Sequence, residues 1–254
     1  MFGLNNFRGS CWVNTCLQSI FRIPELQQRY NSEIFQSENL IDDCLSKIWK
    51  SKGEDGLRQL FDTVRTEHMP AGNGIGDAHE LLQYLCDKLP FLDNLMRHKV
   101  ADSIECIHCH TREIKEDSVI EFTVSSEEKC KPISECIAET VKEDILEDWK
   151  CEKCNNKGCK KQQLIGSFPK VMVFHMTPTT GSIEYPSILA LNGNQYALLS
   201  LCCYDNVHWW AYGRNMPPGS SWFSLNDKHI QEHGPKQFPI SNKMRVLIYY
   251  RLEN

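Results

Sequence analysis

Through the first hundred residues, apolar positions recur every three or four places. Val13, Cys16, Leu17 and Ile20 stand at i, i+3, i+4, i+7, as do Ile41, Cys44, Leu45 and Ile48, and again Leu57, Leu60, Phe61 and Val64. That spacing lines one face of an α-helix and predicts three amphipathic helices. The run Met69-Pro-Ala-Gly-Asn-Gly-Ile-Gly76 breaks the pattern. After it, Asp77 and Glu80 form a capping-box start ahead of Ala78, Leu81, Leu82, Leu85 and Leu89, which predicts a fourth helix.

Past residue 100 the period changes. Short β-branched or aromatic stretches bounded by turn residues predict strands over 117–125, 170–176, 195–204, 208–213, 221–225 and 243–252. A single short helix over 133–141 interrupts them. No repeat or low-complexity tract is visible. The layout is an α+β fold in one domain over 1–254, with a helical lobe over 1–100 and a sheet-rich lobe over 101–254.

Composition narrows the classes. Hydrophobic residues at 41% and charged residues at 24% suit a folded globular chain rather than a disordered one. A net charge of −5 lacks the basic field that neutralises phosphates, so no nucleic-acid partner is expected. The longest apolar stretches, 171–176 and 196–204, fall far short of the roughly 20 residues that span a bilayer. No membrane partner is expected either. The first ten residues lack the features of a secretory leader. Thirteen cysteines, an odd number, then favour free thiols plus metal in a reducing compartment, cytoplasm or nucleus. The first motif begins at Gly3, which suits an excised domain or processed fragment.

Three constellations carry chemistry. Cys11 follows a glycine-containing loop and opens the first helix, where the positive end of the helix dipole favours thiolate. A lone cysteine at a helix start is also compatible with inert packing. His208 lies at a turn between two predicted strands, where either a structural imidazole or a general base would fit. Cys106-Ile-His-Cys109 and Cys151-Glu-Lys-Cys154 are two knuckles separated by residues 110–150. Four thiolates in two knuckles form a closed tetrahedral zinc site, structural rather than catalytic. Cys159, His108 and His110 are substitute ligands, and a redox pair or disulfides are the other readings. A zinc-ribbon interaction protein would use these knuckles alone.

The segment from Gly3 to Gln18 resembles the Cys box of the ubiquitin-specific proteases, matching at Gly3, Leu4, Asn6, Cys11, Asn14, Leu17 and Gln18. The segments 196–214 and 221–227 resemble the same family's His box, and Asp77-Ala-His-Glu-Leu-Leu82 resembles the box that follows its Cys box. The run from Lys160 to His175 is similar to the family's strand after the second knuckle, with His175 a structural residue. Four motifs stand in the family's order.

The resemblance implies a papain-like cysteine protease with a helical thumb, an antiparallel sheet-rich palm and zinc-bearing fingers. It implies Cys11 as nucleophile, His208 as base, Asn226 as its orienting partner, Asp227 as an assisting acid and Asn6 as oxyanion donor. Asp77 would contact the extended tail of the modifier, and Trp209 would border the channel for its Gly-Gly end. Zinc would be structural, held by Cys106, Cys109, Cys151 and Cys154. The implied partners are ubiquitin or a ubiquitin-like modifier and its conjugates, cleaved by a monomer. The motif departs from the family at Arg8 (for glycine), Ser10, Trp12, Val207 and Trp209. With the short connection from Met176 to Tyr196, the Cys-Trp and His-Trp pairs are similar to the divergent relative that removes SUMO, so SUMO is the alternative modifier. A catalytically inactive modifier-binding scaffold is the alternative class.

Overall fold

The computed structural model describes residues 1–68, 76–126, 130–177 and 182–253; the break read at 69–76 falls outside them except for Gly76. Where the first spacing placed a helix, α1 (Cys11–Ile20) forms, but all ten of its residues are buried, not one face. Two helices match their spacing more simply. α3 (Leu40–Lys50) buries Ile41, Cys44, Leu45 and Ile48 and is capped by Asn39, whose side chain accepts from the Asp42 N–H at 3.0 Å. α4 (Leu57–Glu67) buries Leu57, Leu60, Phe61 and Val64. α5 (Ala78–Lys88) starts at Asp77 as expected, although the Asp77 cap bonds the N–H of His79 rather than that of Glu80.

Two helices have too little pattern to be read. α2 (Pro24–Asn31) and α6 (Pro90–Met96) each open on proline and bury only two side chains, Leu26 with Tyr30 and Leu92 with Met96. Proline at the first helical position costs no backbone bond, because that N–H is unpaired anyway.

The fingers form a four-stranded antiparallel sheet in the order β2-β1-β6-β5, built from β1 (His98–Cys106), β2 (Arg112–Val119), β5 (Asp144–Lys150) and β6 (Lys157–Ile165). The strand expected over 117–125 is divided, because Ile120 and Glu121 separate β2 from β3 (Phe122–Val124). β4 (Lys131–Pro132) pairs in parallel with β8 (Ile183–Glu184), and α7 (Ile133–Thr140) follows β4.

The palm is an eight-stranded sheet. It comprises β3, β7 (Val171–Met176), β9 (Ile188–Leu191), β10 (Asn194–Tyr204), β11 (Trp209–Gly213), β12 (Trp222–Asn226), β13 (His229–His233) and β14 (Met244–Arg251). The main path runs β13-β12-β11-β10-β14-β7-β3, with β9 paired to β10, and only β3 joins in parallel. Both faces are covered, so successive side chains feed two cores. Val171 and Val173 point to the helical core, while Met172, Phe174 and Met176 point to the core beneath α7. A bulge against β14 at Leu198/Ser200 adds one residue to β10 and reverses its parity, so Leu198 and Leu201 face the same core.

The helical core explains α1. It packs on α5 to one side and on β10, β11 and β12 to the other, so no face is left for water.

Candidate active site

The loop before α1 is folded back on itself. Ser10 Oγ accepts from the Phe7 N–H at 2.8 Å, and the Ser10 N–H donates to Asn6 Oδ1 at 3.0 Å. Arg8 stands at φ 49° and Gly9 at φ 83°. Arg8 thus occupies the left-handed region that glycine enters freely, at a cost of about 1–2 kcal/mol for an L-residue. The turn survives the departure from glycine, and Cys11 emerges as the first residue of α1, 2% exposed.

Burial dominates the Cys11 thiol and pushes its pKa up, and the Asp227 charge pushes it the same way. The backbone N–H of Trp209, together with those of Trp12 and Cys11 at the helix start, pulls the other way without overcoming burial. The dipole effect expected at the helix start is present but outweighed. Thiolate at neutral pH therefore needs a proton acceptor at the sulfur.

His208 directly precedes Trp209, whose N–H reaches the Cys11 thiol. The β10–β11 turn thus sets the backbone next to His208 against the sulfur. Asn226 Oδ1 lies 2.8 Å from His208 Nε2, which makes Nε2 the protonated nitrogen and leaves the Nδ1 lone pair free. Asp227 Oδ2 is 3.9 Å from the same Nε2.

Asp227 does more than stand beside the base. Its Oδ2 accepts from Asn6 Nδ2 at 2.8 Å, and its Oδ1 accepts from Asn14 Nδ2 at 2.7 Å. Its backbone carbonyl accepts from the Leu4 N–H and from Gln18 Nε2, each at 3.0 Å. This one residue, at φ 52° in the turn between β12 and β13, ties together the loop before Cys11 and helix α1 and stands beside His208. Gly3 permits the approach, since a Cβ there would lie 2.7 Å from the Lys228 carbonyl carbon. Asn14 and Gln18 had no assigned role from sequence. Their signal was present nonetheless: two amides spaced four apart on one helix.

The arrangement is a thiol, an imidazole and a carboxamide in the order that activates a nucleophile for acyl transfer. The model of the family described as ubiquitin carboxyl-terminal hydrolase matches residues 2–249. The chain belongs to this family. Among curated relatives, ubiquitin carboxyl-terminal hydrolase 47 of Drosophila melanogaster is 24% identical over 204 residues, covering 68% of this chain and 13% of the relative. Ubiquitin carboxyl-terminal hydrolase 12 of Salmo salar is 20% identical over 225 residues, covering 69% and 60%. The chain thus spans less than two thirds of these relatives. A solved structure, the SAGA Ubp8/Sgf11/Sus1/Sgf73 DUB module bound to ubiquitin aldehyde, superposes over 100% of this chain and 70% of its own at TM-score 0.83 and 17% identity. The thumb, palm and fingers are therefore the fold of this ubiquitin carboxyl-terminal hydrolase domain.

Trp209 is 2% exposed with its indole stacked on Tyr204 at 4.6 Å, so its backbone N–H, not its ring, faces the site. The ring beside the base is that of Trp210, lying parallel to His208 at 6.5 Å. Asp77 Oδ1 caps α5 by accepting from the His79 N–H at 2.6 Å.

Next along α5, His79 bonds Glu121 and stacks on His175 at 3.7 Å with planes 8° apart. Three donors converge there. Parallel stacked rings direct their lone pairs side by side rather than at a common point, so the trio works as a hydrogen bond with a stacked imidazole. The stack joins α5 to β7.

In the fingers, Cys106, Cys109, Cys151 and Cys154 place their sulfurs within 4.8 Å of one another. Cys106 and Cys154 are 3.6 Å apart, Cys109 and Cys151 3.7 Å. A tetrahedron with bonds of about 2.3 Å has edges of about 3.8 Å, so the sulfurs fit a metal ion. The knuckles share one backbone form: the His110 N–H bonds the Cys106 carbonyl at 3.0 Å and the Asn155 N–H bonds the Cys151 carbonyl at 2.9 Å, with φ 56° and 61°. The substitutes lie outside the four-sulfur cluster. Cys159 lies opposite Cys106 in β6, His108 Nε2 bonds the Lys157 carbonyl at 2.9 Å, and His110 faces Glu105. None of the thirteen cysteines is in a disulfide.

Proposed function

We propose that this domain is a thiol isopeptidase that removes ubiquitin from protein conjugates. The observation that carries the reading is the Cys11 thiol under the Trp209 N–H, next to a His208 whose Nε2 is held by Asn226. His208 Nδ1 takes the thiol proton, and the Cys11 sulfur attacks the carbonyl carbon after the modifier's terminal glycine. Asn6 keeps one N–H beyond its bond to Asp227, and that N–H stabilises the oxyanion. The imidazolium gives its proton to the departing lysine amine. Water, deprotonated by His208, then cleaves the thioester and frees the sulfur.

Asp227 holds Asn6 and the nucleophile helix, and Asp77 receives the modifier's tail. Zinc in the four-thiolate site fixes the fingers and takes no part in the chemistry. The domain acts as a monomer in the cytoplasm or nucleus, where free thiols persist. No described helix is long and apolar enough to cross a membrane.

Electrophilic probes built on ubiquitin, SUMO and other modifiers test the reading in one panel. The ubiquitin probe should label wild type and leave Cys11→Ala unlabelled. Labelling by the SUMO probe alone would replace the modifier, and labelling of Cys11→Ala would refute the nucleophile. A chain that binds ubiquitin but reacts with no probe would be the inactive scaffold.

A further inference from the structure

The connection between β10 and β11 is the four-residue turn Asp205-Asn206-Val207-His208, closed where the Asp205 N–H donates to the His208 carbonyl at 3.3 Å. Nothing apolar anchors its tip: Asp205 and Asn206 are exposed, and Val207 is 70% exposed. Asn206 sits at φ 76°, a conformation tolerated by asparagine but easily lost. What holds the tip is one side-chain oxygen. Asp205 Oδ1 accepts from the Val207 N–H at 3.1 Å and from the His208 N–H at 2.8 Å. Such an Asx-type turn fixes the backbone of the residues it caps.

From this geometry we infer that Asp205 is a positioning residue for the general base: its carboxylate locks the turn that aims the His208 ring and sets the Trp209 N–H onto Cys11. Asp205 touches neither sulfur nor substrate and acts through the backbone of His208. The two N–H donors hold its carboxyl below the usual carboxylate range, so it remains an acceptor throughout the range in which a thiol protease works. The inference rests on the isopeptidase reading, in which His208 is the base.

The test compares Asp205→Ala with Asp205→Asn, because the asparagine Oδ1 accepts the same two bonds without the charge. In steady-state hydrolysis of a ubiquitin C-terminal conjugate, Asp205→Ala should lower kcat about tenfold with KM within about twofold, as loss of backbone positioning predicts. Asp205→Asn should stay within about threefold of wild type. The melting temperatures of both should stay close to wild type, since the turn is exposed. A kcat for Asp205→Ala within twofold of wild type would overturn the inference, and so would an Asp205→Asn as impaired as the alanine variant. Alkylation of Cys11 by iodoacetamide at pH 7 reads the same coupling without any modifier. If wild type hydrolyses no conjugate, the isopeptidase reading fails, yet about tenfold slower alkylation in Asp205→Ala still supports the positioning role and equal rates reject it.

Discussion

Asn14 donates through Nδ2 to Asp227 Oδ1 at 2.7 Å, across 213 positions of sequence, and so couples the nucleophile helix to the turn that follows the base's partner. Asp227 is also the acceptor for Asn6 and stands 3.9 Å from His208 Nε2, so the helix, the Asn6 amide and the His208 imidazole share one carboxylate.

Removing that carboxylate should cost more than an orienting interaction alone. Asp227→Ala is expected to lower kcat about 10²–10³-fold, the size of effect seen when an oxyanion donor is lost. Asn14→Ala should cost about tenfold, because Asn6 keeps its own bond to Asp227. Steady-state kinetics on a ubiquitin conjugate would decide it, and equal losses in the two variants would count against the shared-carboxylate account.

Burial pushes the Cys11 thiol up, so under the proposed mechanism its reactivity at neutral pH is expected to depend on His208. Alkylation of wild type should already be fast near pH 7. In His208→Ala the rate should rise only at alkaline pH, beyond the ordinary thiol range of about 8.5. A rate-against-pH curve unchanged by the substitution would remove His208 as the base.

Gly3 has no room for a methyl group against the Lys228 backbone. Gly3→Ala should push the loop away from the β12–β13 turn, break the Leu4–Asp227 bond and cost about 1–3 kcal/mol of stability, as overpacking does. Urea denaturation measures the loss, and a midpoint equal to wild type would show that the loop yields freely.

Stability should fall in alkali. Burial pushes Cys202 and Cys203 each up to about 12. Unfolded thiols lose their protons near the ordinary value, while the folded chain keeps them, so the folded state binds more protons across that window. The slope of stability with pH is then negative. The contribution is whole below the unfolded pKa and is lost as pH rises toward 12. Melting followed by circular dichroism should show a lower Tm at pH 10 than at pH 8, and a flat profile would contradict the burial.

The fingers have little core of their own. β2 is exposed along most of its length, as is β5, so a metal held by the four cysteines would do what apolar packing does elsewhere. Cys151→Ser or a strong chelator should release one metal ion per chain and expose amides of β1, β2, β5 and β6 to hydrogen exchange, with the palm still protected. Uniform loss of protection across the palm, or no metal in the purified protein, would contradict this.

Several features were legible because they are local. The i, i+3, i+4, i+7 spacing in α3 and α4 reports one buried face, and each knuckle holds its two sulfurs three residues apart whatever surrounds it. The strand at 171–176 was readable as a short β-branched and aromatic run. α2 and α6 offered two apolar anchors each, too few for a period, and β5 (Asp144–Lys150) carries no alternation because neither face of it is buried.

The sequence by itself determined the chemistry available to this protein: a cysteine at a helix start, a histidine at a strand turn, paired knuckles and their order along the chain. The tertiary structure decided how strongly each group acts. Burial on all sides of α1 raised the Cys11 thiol against its helix dipole, and the close passage of Gly3 over Lys228 brought Asn6, Asn14 and Gln18 to Asp227. Desolvation and hydrogen bonding between distant segments depend on which surfaces meet, and no spacing along a chain records that.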